Sequence, residues 1–574
     1  MNMTYEFDAK LPIRDRQNLT LVRHTKQQMQ LWVQRLPVNP LECGKELYQV
    51  LTELTTLNIE AELRLELLSV LQMPVYTLIA ALEEFYLQQP LLLAIQGKRT
   101  LVLAQTLRQN LAINYKIIAV ETTEKLKGKM GFLDFGRKAG QSLAATAIQH
   151  YILQAQRILL DKYRQYELAP VSLWYDIHNL ARLAELHGLL DQTVLKTAYE
   201  TSNYTVRQAY LATILLASSQ VNKLRANELD LVYQYSLFWS QYLRIDNNTA
   251  GSLLVCNRDD QSPLYHHRAV TAYDSWYIHA SNFADYLRQD LSQTAIKLPP
   301  HLQRHLLATW SSAKDRMFVR RPINKAILLS VGMSAAHYYV SGQVQFKTVA
   351  QGEEKIQEIE QPKHLFGLEE DKVPEEPIDA WQICYGSVAG IDEEEKELPK
   401  VPTMTYMPYR VKAVNRSPGG LKLVWTEPPP SSLRVGEVIG ISEDRDKGWG
   451  VGVLHWIQQK SDKTIEIGIE LLAAQPNACG VCLLKNNKPA SDYMRGFLIP
   501  EMPSVEQPAT LMTLNAGLTV GSVVRVSQYG ETVDISLTKL VLSTQSLSQF
   551  EFEPAHKADD GFDPMASLWR KLNV

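Results

Sequence analysis

An Arg-x3-Arg pair directly before a strand-like run constrains this chain more than any other feature of its sequence. The pair is Arg316 and Arg320, Arg321 follows, and the apolar stretch at residues 326–331 predicts a strand. Two arginines four residues apart at the lip of a β-barrel can stack on a purine and bind phosphate oxygens in bidentate fashion, which lysine cannot do. On its own the pair is a weak signal, since solvated helix faces often carry arginines at this spacing.

A second motif, Asn-x-Ser-x-x-Gly, lies between two further strand-like runs and consists of Asn415, Ser417 and Gly420. Asn and Ser have short polar side chains that can reach the edge of a base or cap their own turn. We expect Gly420 to allow the positive φ that a tight strand connection needs. The two motifs together predict a polar corner that faces the arginines.

In this order, the motifs resemble those of the PilZ domain, a bacterial receptor for cyclic di-GMP, in which RxxxR precedes the first strand and D/NxSxxG lies between the next ones. Two later runs, at residues 451–456 and 465–470, are similar to the end of a PilZ barrel. The resemblance implies cyclic di-GMP as ligand, no metal or other cofactor, and a binding site formed by Arg316, Arg320, Arg321, Asn415, Ser417 and Gly420.

The spacing of the two motifs departs from the PilZ pattern, because 94 residues separate Arg320 from Asn415. Either a long insertion lies inside the barrel, or the arginine pair is a coincidence. We therefore keep an alternative in which the chain is a helical-repeat scaffold whose PilZ-like barrel has lost nucleotide binding. The two hypotheses can be distinguished by whether the arginine segment and the Asn415 turn meet in space.

Length and composition limit the number of domains, the class of partner and the cellular compartment. A chain of 574 residues predicts two to four domains, and a net charge of -3 gives no reason to expect DNA or RNA as partner. Five scattered cysteines predict a reducing, cytoplasmic environment. We see no signal peptide and no apolar run of 18 residues, and hence predict no membrane span.

No catalytic motif accompanies these features, so we expect a protein that is not an enzyme. A P-loop, a GxGxxG fingerprint, an HExxH motif and a nucleophile elbow are all absent from the sequence. His301 and His305 have helical i, i+4 spacing but no third ligand, and we interpret them as solvated or capping residues. We interpret Cys479 and Cys482 as packed thiols.

Apolar spacing predicts an α-helical domain over residues 1–310, built from short stacked helical hairpins resembling a degenerate TPR-like array. Pro74 is expected to start a helix, because proline tolerates the first turn. His187 and Gly188 are expected to end the helix that begins near Leu173. An unidentified protein partner is expected to bind this domain.

The rest of the chain predicts β structure in two parts, a PilZ-like barrel over residues 311–475 and a second small β unit over residues 476–553. The barrel is interrupted at residues 351–400, where 15 acidic residues outnumber five lysines. This stretch is either an inert tether or a cover for the arginine site. An amphipathic tail occupies residues 554–574.

The predicted fold class is therefore α+β multidomain. An N-terminal all-α helical-hairpin domain precedes a PilZ-like antiparallel β-barrel with a long acidic insertion, and a second small β unit follows.

Overall fold

The computed structural model describes most of the chain, and its main gap falls between residues 352 and 406. The described residues are 7–87, 91, 93, 95–128, 134–194, 203–270, 274–289, 291, 296–311, 319–352, 406–443, 448–460, 464–501 and 508–555. Arg316, most of the acidic insertion and nearly all of the C-terminal tail lie outside them. The chain divides into two compact units, with the boundary between Asp315 and Arg316.

Helices dominate the first unit, as the sequence predicted. In chain order they are α1 (Lys26–Val33), α2 (Pro40–Thr56), α3 (Ala61–Glu84), α4 (Ile95–Gly128), α5 (Asp134–Arg164), α6 (Leu173–Leu186), α7 (Val206–Ser218), α8 (Ala226–Trp239), α9 (Ser281–Arg288) and α10 (Pro300–Ser311). The end of α6 is as predicted, because His187 occupies the C-cap and Gly188 has a φ of +68°. Two of the helices are longer than the predicted hairpins, with 34 residues in α4 and 31 in α5.

The prediction that Pro74 starts a helix is wrong, because Pro74 lies inside α3. Its neighbours Leu71, Val75 and Leu78 are buried in the core of the unit. The free energy gained by burying these side chains offsets the loss of the hydrogen bond that proline cannot donate. Among the described helices, α3 is long and apolar enough to cross a membrane, but buried core helices of soluble proteins pass the same test.

A largely buried network of ion pairs joins α3, α4, α5 and α8 in the first unit. Arg108 is 3% exposed, its Nε lies 3.0 Å from Asp161 Oδ2, and it also pairs with Glu83. Arg164 lies 3.2 Å from Asp161 Oδ1 and 2.6 Å from Asp230. Because each buried charge has a partner of opposite sign, the network is compatible with the helical core.

Short strands accompany these helices, and the sequence did not predict them. The strands are β1 (Thr193–Val194), β2 (Tyr204–Thr205), β3 (Arg244–Asp246), β4 (Leu254–Cys256), β5 (Leu264–Tyr265) and β6 (Trp276–His279). The first two pair with each other, and the other four form an antiparallel sheet in the order β3-β6-β4-β5.

The two histidines of α10 have protein partners. His301 Nε2 lies 2.7 Å from Glu228 Oε1, and His305 Nε2 lies 2.9 Å from the carbonyl oxygen of Ser219. Both contacts link α10 to the region of α7 and α8. The described residues contain no group of metal-ligating side chains.

The second unit begins with a closed six-stranded antiparallel barrel in the order β10-β11-β12-β9-β8-β7. Its strands are β7 (Arg321–Val331), β8 (Tyr409–Ser417), β9 (Gly420–Trp425), β10 (Val438–Ser442), β11 (Gly450–Gln459) and β12 (Ile465–Ala473). Alternate residues of β9 are buried, namely Leu421, Leu423 and Trp425. This period of two is the pattern from which the strands were predicted.

Two short helices, α11 (Met333–Val340) and α12 (Phe346–Gln351), lie between β7 and β8 in the sequence. After the barrel come β13 (Asn477–Lys485), β14 (Lys488–Pro489), β15 (Met494–Ile499), β16 (Thr510–Leu514), β17 (Val523–Gln528), β18 (Glu531–Ser543) and β19 (Leu547–Pro554). Pairing of β13 with β17 closes this sheet into a second barrel. The predicted hairpin at residues 523–537 is confirmed, and its turn residues Tyr529 and Gly530 have positive φ.

The two barrels share an apolar core with α11 and α12. His337 of α11 lies in it, with Nε2 3.1 Å from the carbonyl oxygen of Cys479 and its ring against Phe346 and Phe497. Burial lowers the pKa of His337 to about 4. Cys479 and Cys482 are buried free thiols of β13. The predicted fold class is confirmed.

Candidate functional site

The two sequence motifs meet where β7 begins and β8 ends. In the antiparallel ladder between these strands, Arg321 is the partner of Arg416, and Pro322 is the partner of Asn415. The two strands are neighbours although 77 residues separate the end of β7 from the start of β8. The long stretch between the motifs therefore belongs to the chain connection between two adjacent strands of one barrel. Of the predicted arginines, Arg320 and Arg321 are exposed here, and Arg316 lies outside the described residues.

Asn415 lies at an irregularity in the barrel wall. The β7–β8 pairing shifts by one residue between Pro322 and Lys325, and the β8–β9 pairing shifts by one residue between Ala413 and Asn415. After this bulge, Asn415 is the partner of Lys422 and shares its face of the sheet. Asn415 Oδ1 is buried and has no hydrogen-bond partner among the described residues. A buried acceptor without a partner is costly, so this atom is suited to accept a hydrogen bond from a ligand.

The remaining two motif residues close the hairpin between β8 and β9. Ser417 is the ladder partner of Gly420, and its hydroxyl group lies 3.4 Å from the Gly420 carbonyl oxygen. The expected positive φ at Gly420 is not found. Glycine is required for another reason, since a Cβ at this position would overlap the carbonyl oxygen of Ile469 on β12. Gly420 thus permits the close approach of β9 to β12.

Two cationic side chains contact one carboxylate beside the motifs, and Arg320 and Arg321 lie where β7 begins. Arg416 Nη1 donates to Glu443 Oε2 at 2.7 Å, and Lys325 Nζ lies 4.0 Å from the same oxygen atom. Arg320 and Arg321 have no carboxylate partner among the described residues. The group carries an excess of positive charge and is exposed to solvent. It can bind an anion that carries more than one negative charge.

An aromatic side chain lies on the same face of the barrel as Asn415 and Lys422. Trp456 of β11 is the ladder partner of Gly468, which in turn is the partner of Lys422. The indole lies so close to Gly468 that no side chain fits between them. This face therefore combines a half-buried aromatic ring with hydrogen-bonding groups, as a purine-binding surface requires.

The positive charge of Lys422, the ladder partner of Asn415, is balanced by a carboxylate. Lys422 Nζ lies 2.8 Å from Glu466 Oε1, and Lys460 lies 3.4 Å from the other oxygen of the same carboxylate. Burial raises the pKa of Glu466, but the hydrogen bond and charge of Lys422, together with Lys460, lower it overall. Lys422 is therefore held by Glu466, whereas Asn415 is left without a partner.

Three residues of this site, Lys325, Arg416 and Glu443, were not predicted from the sequence. Arg416 is the unspecified residue within Asn-x-Ser, so the motif pattern gives it no role. Glu443 follows β10 and reaches the group only because β10 pairs with β7 to close the barrel. The one signal available from the sequence was that the unspecified position of the motif, Arg416, carries a positive charge.

Three family models match successive parts of the chain. They are described as "Cyclic-di-GMP receptor FimW, N-terminal domain", which matches residues 27–250, "Cyclic-di-GMP receptor FimW, middle PilZ domain", which matches residues 253–478, and "FimW C-terminal beta-barrel domain", which matches residues 479–555. The chain belongs to the PilZ-domain family. The resemblance predicted from the two motifs is confirmed.

A full-length relative of this PilZ-domain protein is the "Cyclic-di-GMP receptor FimW" of Pseudomonas aeruginosa. The two sequences are 28% identical over 628 aligned residues, and the match covers 100% of each chain. The likeness thus includes the helical unit and both barrels. No solved structure matches the chain.

Proposed function

We propose that the chain is a cytoplasmic receptor for cyclic di-GMP and that it binds the nucleotide where β7, β8 and β9 meet. The observation that carries the proposal is the pairing of Arg321 and Pro322 with Arg416 and Asn415, despite the 94 residues between the motifs. A coincidental arginine pair gives no reason for this juxtaposition, and a PilZ-like barrel that has lost nucleotide binding does not need it. The name of the P. aeruginosa relative supports the same ligand.

Each predicted residue has a role that its chemistry suits. Arg316, Arg320 and Arg321 bind the phosphate oxygens and stack on a guanine. Asn415 and Ser417 hydrogen-bond to a guanine edge, and the unpartnered Asn415 Oδ1 accepts from a guanine N–H group. Gly420 keeps β9 close to β12 and so holds the turn in place. The ligand carries two negative charges, which suits the cationic excess around Glu443.

Ligand binding would act on the helical unit through the chain connection between them. The last residue of α10 is Ser311 and the first residue of β7 is Arg321, so the arginine pair lies within this connection. Arginines held by a ligand restrict the conformations of the connection. We propose that the helical unit binds a protein partner and that the restricted connection changes this binding. A receptor of this kind needs no catalytic residue.

The test is isothermal titration of cyclic di-GMP into the full-length wild type and into an Arg316→Ala/Arg320→Ala double variant. A Lys485→Ala/Lys488→Ala variant removes the same charge from the second barrel and is the matched control. We expect the wild type and the control to bind equally and the double arginine variant to lose binding. Absence of binding to folded wild type at tens of micromolar ligand would favour the scaffold instead.

A further inference from the structure

Arg416 and Arg321 carry like charges at directly opposed positions of the β7–β8 ladder. Opposed residues of an antiparallel pair leave the same face of the sheet with their Cβ atoms close together, and two like charges there repel each other. Such a pair is tolerated where an anion lies next to it. In the described residues that anion is the carboxylate of Glu443, which accepts from Arg416.

We propose that Arg416 is a further phosphate-binding residue of the nucleotide site and that Glu443 occupies its guanidinium group until a ligand phosphate replaces the carboxylate. This inference rests on the proposed function. It adds to the site a residue that the PilZ motif leaves unspecified. It also makes Glu443 a residue that lowers ligand affinity.

The geometry around Arg416 leaves room for this exchange. The side chain of Arg416 is 49% exposed, and the contact with Glu443 uses only Nη1. Among the described residues, no acceptor faces its other N–H groups. By contrast, Arg525 in the second barrel uses both Nε and Nη2 to bind both carboxylate oxygens of Asp534. Arg416 therefore retains donors that a phosphate group can use while Glu443 is still bound.

The position of the Glu443 carboxylate indicates where a phosphate oxygen would bind. One of its oxygen atoms lies within 4.0 Å of Lys325 Nζ as well as next to Arg416. A phosphate oxygen at the same place would have the same two cations as neighbours. Exposed ion pairs contribute little to stability, so separating Arg416 from Glu443 costs little. Removal of the carboxylate also removes a negative charge that repels a dianionic ligand.

The experiment compares cyclic di-GMP titrations of wild type, Glu443→Gln, Arg416→Gln and Glu551→Gln at low ionic strength. Glu551→Gln is the matched control, because Glu551 is similarly exposed and pairs with Lys539 in the second barrel. We expect Glu443→Gln to tighten binding about three- to tenfold and Arg416→Gln to weaken it about tenfold or more. The control should stay within about twofold of wild type.

A double variant and a charge-conserving variant keep the test decisive. In an Arg416→Gln background, Glu443→Gln should lose most of its effect on affinity, because Glu443 lowers affinity by occupying the guanidinium group of Arg416. Arg416→Lys keeps the charge and should recover only part of the affinity, and thermal unfolding checks that each variant is folded. If the wild type binds and both Arg416→Gln and Glu443→Gln leave affinity unchanged, the inference is wrong and the proposed function stands. If folded wild type does not bind, both are wrong.

Discussion

The indole of Trp456 covers Gly468 on the neighbouring strand, and a Cβ at residue 468 would overlap the ring. The ring therefore keeps its position only while residue 468 has no side chain. This contact lies on the barrel face that carries Asn415 and Lys422. Both the stability of the barrel and the aromatic surface next to the motifs depend on it.

Replacing Gly468 by alanine should displace Trp456 and destabilise the second unit by about 1–3 kcal/mol, the usual cost of overpacking. Denaturant unfolding followed by tryptophan fluorescence measures the change. Gly136→Ala is the control, because Gly136 lies in helix α5 with open space around its Cα. Alanine there should be neutral or slightly stabilising. Equal stability of the Gly468→Ala variant and the wild type would contradict the contact.

Asn415→Ala should leave the stability of the protein unchanged or raise it, while it lowers the affinity for cyclic di-GMP. The variant removes a buried acceptor that has no partner in the described residues, and with it a desolvation cost of about 1–3 kcal/mol. The ligand loses the same acceptor. Thermal unfolding without ligand and titration with ligand measure the two effects separately. A variant that is strongly destabilised would show that Asn415 has a structural role instead.

The buried position of His337 predicts a loss of stability in mild acid. Its pKa is lowered to about 4 in the folded state, whereas an unfolded chain has a histidine pKa near 6.5. The unfolded state therefore binds the additional proton between these values. The contribution of neutral His337 to the free energy of unfolding is fully present above pH 6.5 and is lost as the pH falls towards 4. At pH 5 the loss relative to pH 7.5 should be about 2 kcal/mol.

The check is the free energy of unfolding at several pH values for wild type and His337→Gln. Glutamine does not titrate and can still donate to the Cys479 carbonyl oxygen. His150 and His178 of the first unit have pKa values lowered by burial to about 4 as well, so both proteins should lose stability in acid. The variant should lose less than the wild type. Identical pH dependence would contradict the prediction for His337.

Arg108→Met should destabilise the first unit by about 3–5 kcal/mol, because it leaves Asp161 and Glu83 with less compensating charge in the core. The matched control is Arg288→Met, which breaks an exposed pair with Asp285 and should cost less than about 1 kcal/mol. Urea unfolding followed by circular dichroism at a helical wavelength measures both. Similar costs for the two variants would show that burial of the Arg108 network has little influence.

The sequence was sufficient to predict the barrel strands, because alternating buried residues such as Leu421 and Leu423 repeat with the period of a sheet. It was not sufficient to predict the pairing of Arg321 with Arg416, which depends on strand register across a long intervening stretch. The bulge at Asn415 is also set by both neighbouring strands and not by local residues. Pro74 was misplaced because burial of the surrounding helix outweighs the local preference of proline. Strands of two to four residues, such as β3 to β6, are too short for any periodicity to appear.

The order of strands in the first barrel has a consequence for how the protein is made. β7 leaves the ribosome long before β8, and its partner on the other side, β10, follows later still. Contacts between residues so distant in sequence form slowly, because a long loop must close before they are gained. A nascent chain that ends before residue 406 therefore contains the arginines without the strand that holds them in register. Such a chain should acquire its nucleotide site only after the later strands have been synthesised.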